Sequence, residues 1–134
     1  MISRIAWMKK QVADLTGAPG GRDARDVAAA AAAFGKKLQA VEDELFQPTI
    51  AEGDTKSFRD PQKVYEKLSA LSGDVGGNVD FAPNTKQRQV HAVLKGRLDA
   101  QQATFAELTK VDLGAFNRLL QEKGMAGIVV PAVK

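Results

Sequence analysis

One apolar stripe runs the length of the longest uninterrupted segment and constrains what the chain can form. Its residues recur at intervals of four, three, four, three and four, at Val27, Ala31, Phe34, Leu38, Val41 and Leu45. This spacing places all six side chains on one face of an α-helix over about six turns. The segment therefore predicts a helix that packs by this face against other helices in a bundle.

Composition extends this expectation to the whole chain. Aromatic residues make up only 6% of the 134 residues, whereas alanine and other strong helix formers fill the long segments. A chain of this length with 44% apolar residues can bury one core, which predicts a single domain over residues 1–134. The predicted fold class is all-α: an antiparallel up-and-down four-helix bundle with an additional short C-terminal helix.

Start and stop signals divide the chain into helices, predicted over about residues 2–15, 23–46, 61–76, 85–110 and 113–123. The residues expected to cap, start or end them are Asp23, Asp60 with Pro61, Asn84 or Thr85, Asp112 and Gly124. Outside the second helix, the side chains predicted to face the core include Ile5, Met8, Val12, Leu68, Leu71, Val90, Leu94, Leu98 and Phe105.

The predicted helices differ in length. At ~1.5 Å per residue the second and fourth would be about 35 Å long, and the first only about 21 Å. Helices of an antiparallel bundle are normally of similar length, and no N-cap precedes Ile2. The chain is therefore expected to be a fragment of a longer protein; a natural start with a short first helix is the alternative.

Charge points to no particular partner. The net charge is +3, and acidic and basic residues alternate along the helices. The nearest approach to a basic stripe is Lys86, Arg88, Lys95 and Arg97, which acidic residues interrupt, so nucleic-acid binding is not favoured. No stretch approaches the ~20 apolar residues of a membrane-spanning helix, so no membrane span is predicted.

Few residues suit catalysis or metal binding. His91 is the only histidine and the sequence has no cysteine, so neither a zinc site nor a di-iron pattern is predicted. Glu42, Asp43 and Glu44 are adjacent on one helix and point in different directions, which predicts a solvated helix end and not an acid–base pair. No catalytic residue, metal or cofactor is predicted.

Two features remain as candidate sites. Gln101 falls on the inward stripe of the fourth helix, where a polar side chain sets helix register or contacts a ligand, and His91 is its possible companion. The C-terminal stretch is too apolar for a solvated tail, so we expect it to fold back against the bundle or to dock on a partner. The residues predicted for this docking surface are Phe116, Leu120, Ile128, Val129 and Val130.

Three segments occur in a familiar order and spacing: residues 63–71 (KVYEKLSAL), 80–87 (DFAPNTKQ) and 112–120 (DLGAFNRLL). Together they resemble the C-terminal helical region of bacterial sortilin-like, BNR-repeat proteins, large secreted chains often labelled glycosyl hydrolases. Residues 2–12 and 41–45 look like earlier helices of the same region.

The resemblance implies a domain that follows β-propeller modules in a periplasmic or exported parent, with any hydrolytic site on the propellers. Asp-box repeats are absent and the only tryptophan is Trp7, so no catalytic residue is carried onto this chain. The implied function is a non-catalytic structural or interaction bundle, with the propeller domain or a second copy as its partner. A small-molecule-binding bundle with a pocket near His91 and Gln101 stays open, as does, more weakly, a nucleic-acid-binding protein.

Overall fold

A computed structural model describes residues 1–16, 24–48, 60–77 and 82–131. Its α-helices in chain order are α1 (Ile2–Thr16), α2 (Ala24–Leu45), α3 (Val64–Gly76), α4 (Thr85–Glu107) and α5 (Leu113–Glu122). A π-helical turn, Leu108–Asp112, connects α4 to α5. Within the described ranges there is no β-strand. The all-α class predicted from the sequence is confirmed.

The chain divides into two compact units, and the single domain over residues 1–134 stays a prediction. Unit 1 comprises residues 1–42 and 103–134, and unit 2 comprises residues 43–102. The helices α2 and α4 each continue from one unit into the other. The boundaries between the units therefore fall within helices and not between them.

The predicted stripe of α2 is buried along its whole length, with none of its six side chains more than 4% exposed. Ile5, Met8 and Val12 of α1 are buried as well, as predicted. The periodicity of apolar residues is sufficient here because these helices have one continuous apolar face each.

Three contacts establish the arrangement of helices inside unit 1. The rings of Phe34 and Phe116 stack with centroids 5.8 Å apart, and Lys37 pairs with Asp112 at 2.5 Å. Lys37 comes after Phe34 in α2, whereas its partner Asp112 comes before Phe116. The helix α2 therefore runs antiparallel to the segment formed by the π turn and α5. On α1, the ammonium of Lys9 lies 2.5 Å from the carboxylate of Glu42, which ties α1 to α2.

In unit 2 the start of α3 differs from the prediction. The helix begins at Val64, with Lys63 as an extended N-cap (φ −97°, ψ −170°), and not at Pro61 after an Asp60 cap. The side chain of Glu66 determines this boundary because its carboxylate accepts the main-chain N–H of Lys63 at 2.9 Å and that of Gln47 at 3.0 Å. Glu66 thereby caps α3 and holds it to the chain that follows α2.

The start of α4 confirms the prediction for Asn84. Its Oδ1 accepts the N–H of Gln87, and the side chain of Gln87 accepts the N–H of Asn84, both at 2.9 Å. This reciprocal pair is a capping box. The corresponding prediction for α2, a cap at Asp23, lies outside the described residues.

The predicted core stripe of α4 is partly wrong. Leu94 is buried, Leu98 is half-buried and Val90 is 48% exposed. Each four-residue step turns the side chain by about 40° around the helix, so the step from Leu94 back to Val90 leaves the buried face. The predicted core positions Leu68 and Leu71 of α3 are half-buried.

The prediction that Asp112 caps a separate fifth helix is also wrong. Asp112 has helical backbone angles (φ −68°, ψ −43°) and makes no side-chain cap. The π turn keeps the helix continuous and gives its apolar stripe a five-residue step from Leu108 to Leu113, both buried. In a regular α-helix Leu108 and Leu113 would lie about 140° apart around the axis, and the wider π turn brings them onto the same buried face.

Candidate functional site

The candidate site is formed by the C-terminal segment, residues 125–131, and the two helices that hold it. The segment follows α5, and Gly124 terminates this helix as predicted. Gly124 has φ +69°, a conformation that glycine adopts without strain. Its N–H bonds to the carbonyl of Gln121 at 3.0 Å and that of Met125 bonds to Leu120 at 2.8 Å. This Schellman motif stops the helix and turns the chain back.

Asn117 of α5 holds the segment at Ile128. Its Nδ2 donates to the carbonyl oxygen of Ile128 at 2.9 Å, and its Oδ1 accepts the N–H of the same residue at 2.7 Å. One side-chain amide thus satisfies both main-chain polar groups of one residue, as a neighbouring strand would in a sheet.

Gln11 of α1 holds the next residue in the same way. Its Nε2 donates to the carbonyl oxygen of Val129 at 2.9 Å, and its Oε1 accepts the N–H of Val129 at 3.0 Å. In an extended chain the polar groups of consecutive residues point to opposite sides. The two side-chain amides therefore bind residues 128 and 129 from opposite sides of the segment. We call Gln11 and Asn117 the amide clamp.

The segment also has an apolar anchor. Ile128 is 4% exposed, whereas the adjacent Val129 is 66% exposed, which is the alternation expected of an extended chain on a surface. Gly127 lies so close to the clamp that a Cβ built on it would be 3.1 Å from Oδ1 of Asn117. Position 127 therefore has no room for a side chain unless Asn117 moves.

The predicted docking surface is largely used inside unit 1. Phe116, Leu120 and Ile128 are buried, Val130 is half-buried and only Val129 is mostly exposed. The expectation that the C-terminal stretch folds back is confirmed at residues 128 and 129. Of the five predicted residues, only Val129 and Val130 therefore remain accessible to another domain.

The structure does not bring together the predicted pair His91 and Gln101. In unit 2, residues of α3 and α4 line an open groove of about 470 Å³. Its lining residues are Leu68, Leu71, Ser72, Val75, Pro83, Gln87, Arg88 and His91. His91 is an exposed residue that lines this groove, whereas Gln101 is half-buried elsewhere on α4 and does not line it.

Two carboxylates of the chain make structural contacts. Glu42, of the acidic cluster predicted to be solvated, is bonded to Lys9, and Glu66 accepts two main-chain N–H groups. Across the part of the chain that the structure describes, no three His, Cys, Asp or Glu side chains are grouped to hold a metal ion. None of the described helices has the length and apolarity needed to cross a bilayer.

The basic residues of α4 do not form one binding face. Arg88 donates from Nε to the carbonyl of Pro83 at 2.9 Å, and Lys95 pairs with Asp99 at 2.5 Å. Lys86 and Arg97 lie about 160° or more around the helix from these two. This spread gives a nucleic-acid backbone no continuous row of cations.

Sequence reasoning missed both residues of the amide clamp. Their signal is weak: each is an uncharged amide directly beside a core residue, Gln11 before Val12 and Asn117 after Phe116. An apolar tail together with two such amides at helix edges would have been the pattern to recognise. No family model, curated protein or solved structure matches the chain.

Proposed function

We propose that this chain is a non-catalytic interaction module that binds an extended polypeptide segment between α1 and α5. The observation that supports the proposal is the amide clamp, in which Gln11 and Asn117 make four hydrogen bonds to the main chain of residues 128 and 129. Main-chain recognition with one buried side-chain anchor is how strand-adding peptide sites obtain affinity and specificity.

The chemistry of the clamp determines what it accepts. Because its bonds go to main-chain atoms, it tolerates many side chains at the position of Val129, which is mostly exposed. It requires a small residue at the position of Gly127 and an aliphatic side chain at that of Ile128. The expected ligand is an extended peptide with a Gly-aliphatic pair.

Peptide binding to a full-length variant tests this proposal. Replacing Ile128 by Asp places a charge in an apolar site and releases the chain's own segment. A labelled synthetic peptide of residues 123–134 should then bind, and Trp7, the only tryptophan, reports it by fluorescence because it lies one helical turn before Gln11. The double variant Ile128→Asp, Asn117→Ala should bind roughly tenfold to hundredfold more weakly, because two hydrogen bonds are lost.

A control peptide and one refuting result complete this test. A peptide carrying Asp at the position of Ile128 is the matched control and should not bind. Equal binding of the native peptide to the single and the double variant would remove the clamp from the mechanism and refute the proposal.

We also propose that the chain has no hydrolase activity of its own. The motivation is that Glu42 and Glu66 are engaged in structural contacts and that the sequence contains no nucleophile and base constellation. Turnover of glycoside substrates by the purified chain, abolished by a single carboxylate substitution, would show the opposite.

The proposed context is an exported BNR-repeat propeller protein in which this module follows the propellers. It rests on the sequence resemblance of residues 63–71, 80–87 and 112–120 and carries with it a periplasmic or secreted location. The coding sequence adjoining this chain tests the context directly. Strand-rich repeats with Asp-box motifs there would support it, and an unrelated neighbouring sequence would argue against it.

The groove of unit 2 supports a second candidate function, the binding of a small amphipathic anion. Leu68, Leu71 and Val75 supply apolar walls, and Arg88 and His91 lie at its edge. Calorimetric titration with a medium-chain fatty acid should give saturable binding that Leu71→Asp abolishes. The exposed-face variant Val93→Asp is the control. Binding that survives Leu71→Asp would exclude the groove.

A further inference from the structure

We infer that the amide clamp also accepts residues 125–131 of a second copy of this chain, so that two copies exchange their C-terminal segments. The inference rests on the proposed function and names the partner. In the exchanged dimer, Ile128 and Val129 of each copy lie against Gln11 and Asn117 of the other.

A second copy of the chain offers the amide clamp the same segment that fills it within one chain. The segment that fills the clamp within one chain is identical in a second copy, so the exchanged form makes the same four hydrogen bonds and buries the same Ile128. Exchange of identical elements keeps the local contacts and changes only the connection and the cost of association.

The link between α5 and the clamped residues is short and turns at a single glycine. Only Lys123, Gly124, Met125, Ala126 and Gly127 lie between the last residue of α5 and the clamped residues. The turn is held by two hydrogen bonds and depends on the positive φ of Gly124. If Gly124 adopts an ordinary negative φ instead, the turn opens and the segment is directed away from its own clamp.

Concentration decides between the two forms. Within one chain the segment is present at a high effective concentration, which favours the closed monomer. Exchange prevails when this advantage is removed, either by protein concentration or by a chain whose segment and clamp cannot pair with each other. A pair of variants that each lack one half of the contact therefore isolates the exchanged interaction.

The test mixes full-length Asn117→Ala with full-length Ile128→Asp. The first chain has an intact segment and an impaired clamp, and the second has an intact clamp and an impaired segment. We expect each variant alone to sediment at the chain mass of 14.3 kDa, and the mixture to form a 1:1 complex of twice that mass. A mixture that stays at the chain mass, while Ile128→Asp still binds the synthetic peptide, overturns the exchange and leaves the proposed function intact.

A second pair guards against a variant that fails to fold. Gln11→Ala impairs the clamp from the α1 side, and Gly127→Val impairs the segment by its collision with Asn117. Circular dichroism of each chain confirms that its helices are retained before mixing. Mixtures of two clamp variants, or of two segment variants, should stay monomeric, and dimers in either would show an interface other than the exchanged segment.

The hinge gives an independent readout in an otherwise native chain. Gly124→Val disfavours φ +69° and should shift sedimentation toward a dimer as protein concentration rises, whereas Gly96→Val in the exposed middle of α4 should not. A Gly124→Val chain that loses stability but stays monomeric at all concentrations contradicts the role assigned to this turn.

Discussion

At the scale of single residues, polar side chains take the place of main-chain partners in this molecule. Asn117 and Gln11 satisfy the N–H and carbonyl groups of two segment residues, and Glu66 satisfies the N–H groups of Lys63 and Gln47. Buried main-chain groups must find partners, because leaving them unpaired costs about as much as a lost hydrogen bond. Each of these side chains therefore stabilises a segment that is not helical.

The substitution Asn117→Ala should lower the free energy of unfolding by about 1 to 3 kcal/mol, because it removes two hydrogen bonds from a half-buried site. Chemical denaturation followed by circular dichroism measures the loss. Gln121→Ala, on the exposed face one turn later, is the matched control and should change stability by less than about 0.5 kcal/mol. Equal losses in the two variants would show that the clamp does not stabilise the fold.

The substitution Leu38→Ala should cost about 2 to 5 kcal/mol, since Leu38 is 0% exposed and its removal leaves a cavity in unit 1. The same substitution at Leu68, which is half-buried along the groove of unit 2, should cost clearly less because solvent already reaches that side chain. A loss below about 0.5 kcal/mol at Leu38 would mean that the stripe of α2 is assigned wrongly.

At the scale of secondary-structure elements, the π turn is the feature that distinguishes this chain from an ideal bundle. Apolar positions around it step from Phe105 to Leu108, then by five to Leu113 and onward to Phe116 and Leu120, all buried. A regular α-helix needs steps of three and four to keep one face. The extra residue is accommodated as a π turn, in which the hydroxyl of Thr109 bonds to the carbonyl oxygen of Phe105.

Deleting Val111, which is 59% exposed, should convert the π turn into ordinary α-helix and be tolerated. The step from Leu108 to the next apolar residue becomes four, so the stripe stays on one face. We expect a cooperative thermal transition whose midpoint falls by only about 5 °C, partly because the pairing of Lys37 with Asp112 is disturbed.

Deleting the exposed Lys36 in α2 is the matched control. It rotates Leu38 and all later stripe residues by about 100° relative to Phe34, so cooperative unfolding should be lost. If the two deletions were equally damaging, the register argument for the π turn would fail.

At the scale of the whole molecule, the C-terminal segment completes unit 1. It buries Ile128 and connects α5 to α1 through the amide clamp. Unit 2 has a core that includes Val64 and Leu94 and is held by Glu66. Segments distant in sequence therefore decide the packing of each unit.

Deleting residues 125–134 should lower the free energy of unfolding by a few kcal/mol, at ~25 cal/mol for each Å² of apolar surface that is exposed. Thermal unfolding measures the loss, and the same deletion abolishes any dimer that depends on the segment. Val129→Ser, at an exposed side chain, is the control that should leave the midpoint nearly unchanged. An unchanged midpoint in the deletion would mean that the segment contributes nothing to unit 1.

The sequence by itself determined the helices and the face that α2 buries. Its stripe from Val27 to Leu45 is continuous, and the N-cap at Asn84 and the terminator at Gly124 are signals that depend on only a few residues. Such features are predictable because helix periodicity and capping are local. Local signals failed at Asp60, where Glu66 sets the start of α3. They also failed at Val90, where a four-residue step leaves the buried face, and at Asp112, where the π turn continues the helix.

Only the tertiary structure decided the candidate site. Gln11 and Val129 are 118 residues apart, and nothing in the pattern around either one specifies that an amide on α1 will pair with the main chain of the C-terminal segment. The apolar run after Gly124 indicated that this segment needs cover, because exposed apolar surface is costly. Which side chains hold it depends on how α1, α2 and α5 pack, since that packing alone places two amides on opposite sides of one extended chain.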